Sequence, residues 1–308
     1  MRKFIVSDLH GDGNVYKSIM SYLDNLSKDE DISLYINGDL IDRGIDSTEM
    51  LLDVKRRVEE NKYPIVYLAG NHELMMYEVF EKRRKGQYVS PIDRWFRNGG
   101  GITDKGLETI LHDKDKILEV VDFVANLKIY QKFPETIDYQ NIVLVHAATP
   151  VIIKDECDIR LKDNSDVTPY AVWTREYDPD MPFRCRIGHS EYFSIVGHEH
   201  NNEKYGVKYH IANNYLNIDG GASMYVNGMF DVDHVPLIEV CDNKLRILTF
   251  NNNNEIIYGN YFIDNKLVPF NDEELNNDRK YLDNSFKPKR LIKLPNGSIE
   301  YEKWKGLL

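Results

Sequence analysis

The chain has 308 residues, enough for one large domain or two small ones, and its 42% apolar and 11% aromatic content argues for a packed core and against disorder. A formal charge of −11 disfavours a broad phosphate-backbone-binding face, so no nucleic-acid partner is expected. Cys157, Cys185 and Cys241 form no C-x-x-C pair and read as reduced thiols of a cytoplasmic protein; Asp8 and His10 interrupt the apolar run after Met1-Arg2-Lys3, and no stretch is long enough for a membrane span.

Lys3 to Ser7 reads as a short strand that runs into Asp8-Leu9-His10-Gly11-Asp12-Gly13. Val15, Ile19, Tyr22, Leu23 and Leu26 then recur at helical spacing, so a helix should cover the sheet. Ser33-Leu34-Tyr35-Ile36 is apolar and β-prone, and the strand ending at Asn37 opens into Gly38-Asp39-Leu40-Ile41-Asp42-Arg43-Gly44. That loop crowds two carboxylates and a guanidinium together, a cluster that must face water, pair internally or bind ions. A carboxylate at the carboxyl end of a strand lies where α/β sheets form ligand crevices. Asp39 is therefore read as a ligand shared by two metal ions, with Asp42 and Arg43 acting beside them.

Asp46 or Ser47 is expected to cap the next helix, whose face carries Met50, Leu51, Val54 and Val58. Pro64 opens a third strand, Ile65 to Leu68, which ends in Ala69-Gly70-Asn71-His72-Glu73. Three strand–helix units in series predict a parallel α/β sheet with right-handed crossovers. Residues 73 to 127 read as mostly helical, with Lys82-Arg83-Arg84-Lys85 complementing a helix carboxyl end or steering substrate, and Trp95 to Gly100 as a helix stop and turn. From residue 128 strands return: Ile142 to Val145 leads into His146, Phe193 to Gly197 into His198-Glu199-His200, and Leu216 to Ile218 into Asp219-Gly220-Gly221. These suggest a second sheet packed on the first. After about residue 235 the pattern is of hairpins, with turns at Asp242-Asn243-Lys244, at the Asn251 to Asn254 run (read as a solvated turn), at Asp264-Asn265-Lys266 and at Pro295-Asn296-Gly297-Ser298.

Asp8, His10, Asp39, Asn71, His146 and His198 give a mixed oxygen and nitrogen set gathered from five strand ends. Such a set suits manganese, iron or zinc better than calcium, and the cysteine positions exclude a thiolate zinc site.

Ser7-Asp8-Leu9-His10-Gly11, Gly38 to Gly44, Gly70-Asn71-His72-Glu73, His146 and Gly197-His198 resemble the ordered motifs of the calcineurin-like metallophosphoesterases. The Asp-Arg-Gly ending of the second motif is similar to the branch holding Ser/Thr protein phosphatases and bacterial dinucleoside tetraphosphatases. Trp95 to Gly100, Trp173-Thr174-Arg175 and Asn217 to Ala222 resemble its bacterial and phage members. The resemblance covers roughly residues 1 to 225. It implies an α/β fold, a four-layer αββα sandwich of two β layers flanked by helices, with residues 1–235 as the catalytic domain and 236–308 as a β-rich hairpin extension packed on it.

The resemblance also implies two divalent ions, Mn2+ first with Fe or Zn as alternatives. Asp8, His10 and Asp39 would hold one; Asp39, Asn71, His146 and His198 would hold the other. A water shared by both would attack phosphorus in line without a phosphoenzyme, a single carboxylate being able to bridge ions about 3.5–4 Å apart. His72 would protonate the leaving oxygen with Asp42 orienting its ring, and Arg43 and Arg175 would clamp phosphate oxygens. Gly197-His198-Glu199-His200 looks like the Gly-His-x-His of other metallophosphoesterases, in which the second histidine joins the first ion, so His200 is a candidate ligand; residues i and i+2 of an extended segment share a face. Ala148 stands where glycine is usual. The expected substrate is a phosphoserine or phosphothreonine protein, with a dinucleoside polyphosphate or another small phosphorylated metabolite as the alternative.

Overall fold

In the computed structural model, which describes residues 1–150, 159–163, 165–175, 185–186, 191–201, 203–210, 214–229, 234–289, 291–293 and 299–301, alternate side chains of the first strand enter two different cores. Phe4 and Val6 of β1 (Arg2–Val6) join Val15, Ile19 and Leu23 of α1 (Gly13–Leu26), whereas Ile5 joins Ile142, Leu144 and Ile195. A strand buried on both faces does this because successive side chains point to opposite sides. β2 (Ile32–Asn37) and β3 (Ile65–Leu68) continue a parallel ladder, with Ile5 opposite Tyr35 and Ile36 opposite Tyr67.

α2 (Ser47–Glu60) links β2 to β3; Asp46 stands at its N-cap without a side-chain cap bond, and the Ser47 hydroxyl donates to the Gly44 carbonyl. α3 (Asn71–Arg84), α4 (Arg94–Arg97), α5 (Gly101–Leu111) and α6 (Lys114–Ala125) form the helical region. The basic run closing α3 is not a steering patch: Lys82 pairs with Asp93, Arg83 with Asp104, and Arg84 with Glu81 and Asp122.

β4 (Tyr130–Ile137) and β5 (Gln140–Val145) begin the second sheet, and β6 (Thr149–Pro150) pairs with β7 (Cys185–Arg186) in a short separate ladder. With β8 (Tyr192–Val196), β9 (Lys208–His210) and β10 (Tyr215–Asn217), the second sheet runs β4-β5-β8-β10-β9. It faces the first through Leu68, Phe133, Ile142, Leu144, Ile195 and Leu216. Val143, Val145 and Val196 alternate to its other face, in the core that holds Ala171 and Val172 of α7 (Thr168–Trp173) and Ala222 of α8 (Ala222–Val226). Two β layers flanked by helices result.

The hairpins after residue 235 widen the first sheet. β11 (Val235–Cys241) pairs antiparallel with β1, and β12 (Lys244–Phe250), β13 (Ile256–Ile263) and β14 (Lys266–Pro269) follow to give the order β14-β13-β12-β11-β1-β2-β3. A half-buried ion network fastens this addition: Glu239 accepts from Arg2 at 2.7 Å and from Arg246, and Asp278 of α9 (Asp272–Arg279) accepts from Arg246 at 2.8 Å and from the Tyr22 hydroxyl at 3.0 Å. The asparagine run is not simply solvated. Asn251 and Asn252 are buried, Asn251 Oδ1 accepts from the N–H groups of Asn253 and Glu255, and Asn254 donates to the Asp283 carbonyl. Asparagine supplies there the backbone-like acceptor that a tight turn needs. β15 (Leu291–Lys293) pairs with β16 (Ile299–Tyr301); the turn expected at Pro295 to Ser298 lies outside the described residues. Cys241 is a free thiol, and no described helix is long and apolar enough to cross a membrane.

Candidate active site

β1, β2 and β3 run parallel to one another, as do β5, β8 and β10, and the segments leaving all six carboxyl ends carry the site. Asp8 and His10 follow β1, Asp39 follows β2, Asn71 and His72 open α3 after β3, His146 follows β5, and His198 follows β8. Bonds between the two sheets' loops hold these ends together. Asn37 donates to the Val145 carbonyl at 3.0 Å, the Gly197 N–H donates to the His146 carbonyl at 2.8 Å, and the His198 N–H donates to the Asp8 carboxylate at 3.0 Å. Crowding dictates two glycines: a Cβ on Gly38 (φ +79°) would meet Gly70 N at 2.5 Å, and one on Gly197 would meet Asp8 Oδ2 at 2.0 Å. Asp8, His10, Asp39, Asp42, Arg43 and His198 have φ of 55°, 44°, 50°, 73°, 70° and 71°. A non-glycine residue in the left-handed region costs roughly 1–3 kcal/mol, so strain is concentrated where the loops turn their polar side chains inward.

Asp39 lies at the meeting of two donor groups, His10–Asp39–His72 and Asp39–His146–His198, within each of which the ligand atoms are no more than 4.8 Å apart. Its Oδ2 is 3.4 Å from His10 Nε2 and 3.9 Å from His72 Nε2; its Oδ1 is 3.4 Å from His146 Nε2. Asn71 Oδ1 completes the second group, 3.2 Å from His146 Nε2 and 2.9 Å from His198 Nδ1. Backbone carbonyls select the tautomers: His10 Nδ1 donates to the Ile41 carbonyl at 3.2 Å and His146 Nδ1 to the Asn37 carbonyl at 2.8 Å. Each bond fixes its ring with Nε2 turned toward Asp39, so that both nitrogens face the place a cation would occupy.

The electrostatics agree. Burial pushes the Asp8 carboxyl up, and the carboxylate of Asp219 pushes it further. Burial likewise lifts Asp219 to about 7, with Asp39 adding to it. Burial opposes charge on His146, but the Asp39 and Asp8 carboxylates outweigh it and hold the imidazole up at about 10. Burial and His146 together lower His198 to about 3, and its buried Nε2 has no hydrogen-bond partner. Carboxylates thus outnumber cations in a buried space, and a proton on His146 does there what a divalent cation would do better. The donors His10, Asp39, His146 and His198 fit such ions, whereas Asp8, expected at the first ion, lies outside both donor groups.

Beside the donors, Asp42 Oδ2 accepts from His72 Nδ1 and from Trp95 Nε1, both at 2.7 Å, and Asp42 Oδ1 accepts from the Thr103 hydroxyl at 2.5 Å. Arg43 donates to His10 Nε2 at 3.3 Å and to His72 Nε2 at 3.2 Å. Arg175 is at the cavity rim, with its side chain 67% exposed and 3.9 Å from Glu199. His200 is exposed; it lines the same cavity but lies outside both donor groups. Ala148 is buried, its N–H donating to the Ala171 carbonyl at 3.2 Å.

The sequence did not announce the roles of four residues. Glu73 is fully buried and accepts from the N–H groups of Asp39 at 2.9 Å, Leu40 at 3.1 Å and Gly70 at 2.8 Å, so one carboxylate pins two of the strand-end loops together. Asp219, buried at the end of β10, lines the cavity; its signal was a carboxylate followed by two glycines at a strand end. Trp95 and Thr103 hold Asp42 from 53 and 61 residues away, which no spacing announces. The donors open into a cavity of about 890 Å³ that reaches Phe96, Arg97, Lys208, Ser223 and Asn227.

The calcineurin-like phosphoesterase family matches residues 1–202 of the chain. No curated protein sequence matches it. Among solved structures, a cold-active protein-tyrosine phosphatase of a psychrophilic Shewanella species has 15% identity over 80% of this chain and 77% of its own, with a TM-score of 0.49. A protein serine/threonine phosphatase from Saccharomyces cerevisiae has 14% identity over 81% and 79%, with a TM-score of 0.47. A putative diadenosine tetraphosphatase has 15% identity over 81% and 93%, with a TM-score of 0.41.

Proposed function

We propose that this chain, which belongs to the calcineurin-like phosphoesterase family and is a metal-dependent hydrolase, removes phosphate from phosphoserine or phosphothreonine in proteins. The observation that carries the reading is Asp39, common to two donor groups, with the His72–Asp42 pair beside it. In this reading Asp8, His10 and Asp39 hold one divalent ion, His200 being an added candidate at its edge, and Asp39, Asn71, His146 and His198 hold the other. Mixed imidazole, carboxylate and amide donors favour manganese, with iron or zinc as alternatives. When bound, the ions supply Lewis acidity toward water and the phosphoryl oxygens.

The residues of the chain do the rest. Arg43 turns its guanidinium to the phosphoryl oxygens, for which a planar fork of donors is suited, and Arg175 closes on them from the rim. With Arg43 turned to the phosphoryl oxygens, Nε2 of His72 is free to carry a proton and would give it to the departing oxygen, while Asp42 holds Nδ1–H and keeps the ring oriented. Glu73 keeps the Asp39 and Gly70 loops in register. Hydrolysis of a dinucleoside polyphosphate is the second reading, favoured by a cavity that extends well past the donors to Lys208 and Asn227.

Turnover of the manganese-loaded protein on a phosphoserine peptide and on diadenosine tetraphosphate, with chelator controls, tests both. Preference for the peptide is expected; preference for the dinucleotide selects the second reading. No chelator-sensitive turnover on either refutes both.

A further inference from the structure

We propose that Arg97 is a specificity residue that binds a second anionic group of the substrate, on the leaving-group side of the scissile phosphate. The inference rests on the phosphoesterase reading above and adds to it the class of leaving group.

Pairing sets Arg97 apart from its neighbours. On the same helical face of the molecule, Lys82, Arg83, Arg84 and Arg94 are each within 3.0 Å of a carboxylate, those of Asp93, Asp104, Asp122 and Glu78. Arg94 also lies over the Trp173 ring at 4.7 Å. Arg97 is exposed, lines the 890 Å³ cavity, and among the described residues has no carboxylate at ion-pairing distance.

Its position says which part of a substrate it meets. The Gly99 carbonyl accepts from the Arg43 N–H at 3.4 Å, and a Cβ on Gly99 would lie 2.9 Å from Arg43 Cγ, so the turn that starts two residues after Arg97 lies directly on the Arg43 loop. Arg43 in turn reaches His72 Nε2, the proton donor to the departing oxygen in the proposed reaction. Arg97 lines the cavity beside this loop, and because His72 serves the departing oxygen in the proposed reaction, we place Arg97 on the leaving-group side. Arg43 and Arg175 already serve the scissile phosphate; a third guanidinium beyond them matches an additional negative charge carried by the leaving group. The shared chemistry is a carboxylate or phosphate, supplied either by residues next to a phosphoserine or by a polyphosphate chain.

The test is kcat/KM of the manganese-loaded full chain, wild type, Arg97→Gln and Arg97→Lys. The substrates are p-nitrophenyl phosphate, a phosphoserine peptide flanked by alanine, the same peptide flanked by glutamate, and diadenosine tetraphosphate. In Arg97→Gln, the glutamate-flanked peptide or the tetraphosphate should lose about tenfold or more relative to p-nitrophenyl phosphate, the size of one charge-assisted contact. The loss should be carried mainly by KM and partly restored in Arg97→Lys. Loss on the glutamate peptide identifies an acidic phosphopeptide, and loss on the tetraphosphate identifies a polyphosphate. Parallel loss on every substrate, or no relative change in either arm, overturns the proposal and leaves the phosphoesterase reading standing. A wild type without chelator-sensitive turnover of any of these substrates overturns both together.

Discussion

Asp42 is the residue at which structure and chemistry can be separated most cleanly. It accepts three hydrogen bonds in a fully buried position, two at Oδ2 and one at Oδ1. Asp42→Ala leaves the donors of His72, Trp95 and Thr103 without an acceptor, at about 1–3 kcal/mol each, so a loss of several kcal/mol and a fall in Tm on the order of 10 °C are expected. Asp42→Asn is different. Its amide oxygen can keep the Oδ2 position facing Trp95 and His72, and its NH2 can face Thr103, whose hydroxyl turns to accept. Stability then changes little, but His72 exchanges a charge-assisted bond for a neutral one. The difference of about 1–2 kcal/mol in orienting the proton donor predicts a fall in kcat of about tenfold with metal content unchanged. Steady-state kcat on p-nitrophenyl phosphate for Asp42→Asn, His72→Asn and the double variant, with thermal unfolding and metal analysis, checks each part. Because Asp42 acts through His72, the double variant should be no slower than His72→Asn alone. A wild-type kcat for Asp42→Asn, or losses that multiply in the double variant, would refute the reasoning.

Gly38→Ala places a methyl 2.5 Å from the backbone nitrogen of Gly70 at a φ of +79°, so a destabilisation of about 2–5 kcal/mol in urea unfolding is expected. Asp46 is raised from 3.8 to about 6 by burial, which Lys289 offsets only in part. A carboxyl raised on folding binds its proton more tightly in the native state, so its contribution favours folding below about pH 4 and is lost as pH rises through 6. The change is on the order of 2–3 kcal/mol. Asp46→Asn should therefore raise Tm at pH 7.5 and not at pH 4; an equal shift at both pH values contradicts this origin.

Local signals marked the candidate residues because the strand-end loops carry their own chemistry. The apolar runs before Asp8, Asp39, Asn71, His146 and His198 each predict a strand, and the polar residue after each lands where the parallel strands end. Pairing across distance was not legible. Nothing in the spacing of Val235 to Cys241 tells that β11 lies beside β1, because antiparallel partners are chosen by complementary faces and by the Arg2–Glu239 pair, 237 residues apart. Trp95 and Thr103 converge on Asp42 for the same reason, through the packing of α4 and α5. The asparagine run misled because side-chain polarity alone does not distinguish a turn in water from one whose amides replace backbone acceptors.

The most direct measurement is metal stoichiometry with electron paramagnetic resonance on the Mn2+-loaded protein. Two ions held together on Asp39 would be close enough to be exchange-coupled. Two equivalents bound with a coupled spectrum are expected in the wild type, and loss of both in Asp39→Asn. A single equivalent with the spectrum of an isolated ion, or an Asp39→Asn variant that keeps two coupled ions, would contradict it.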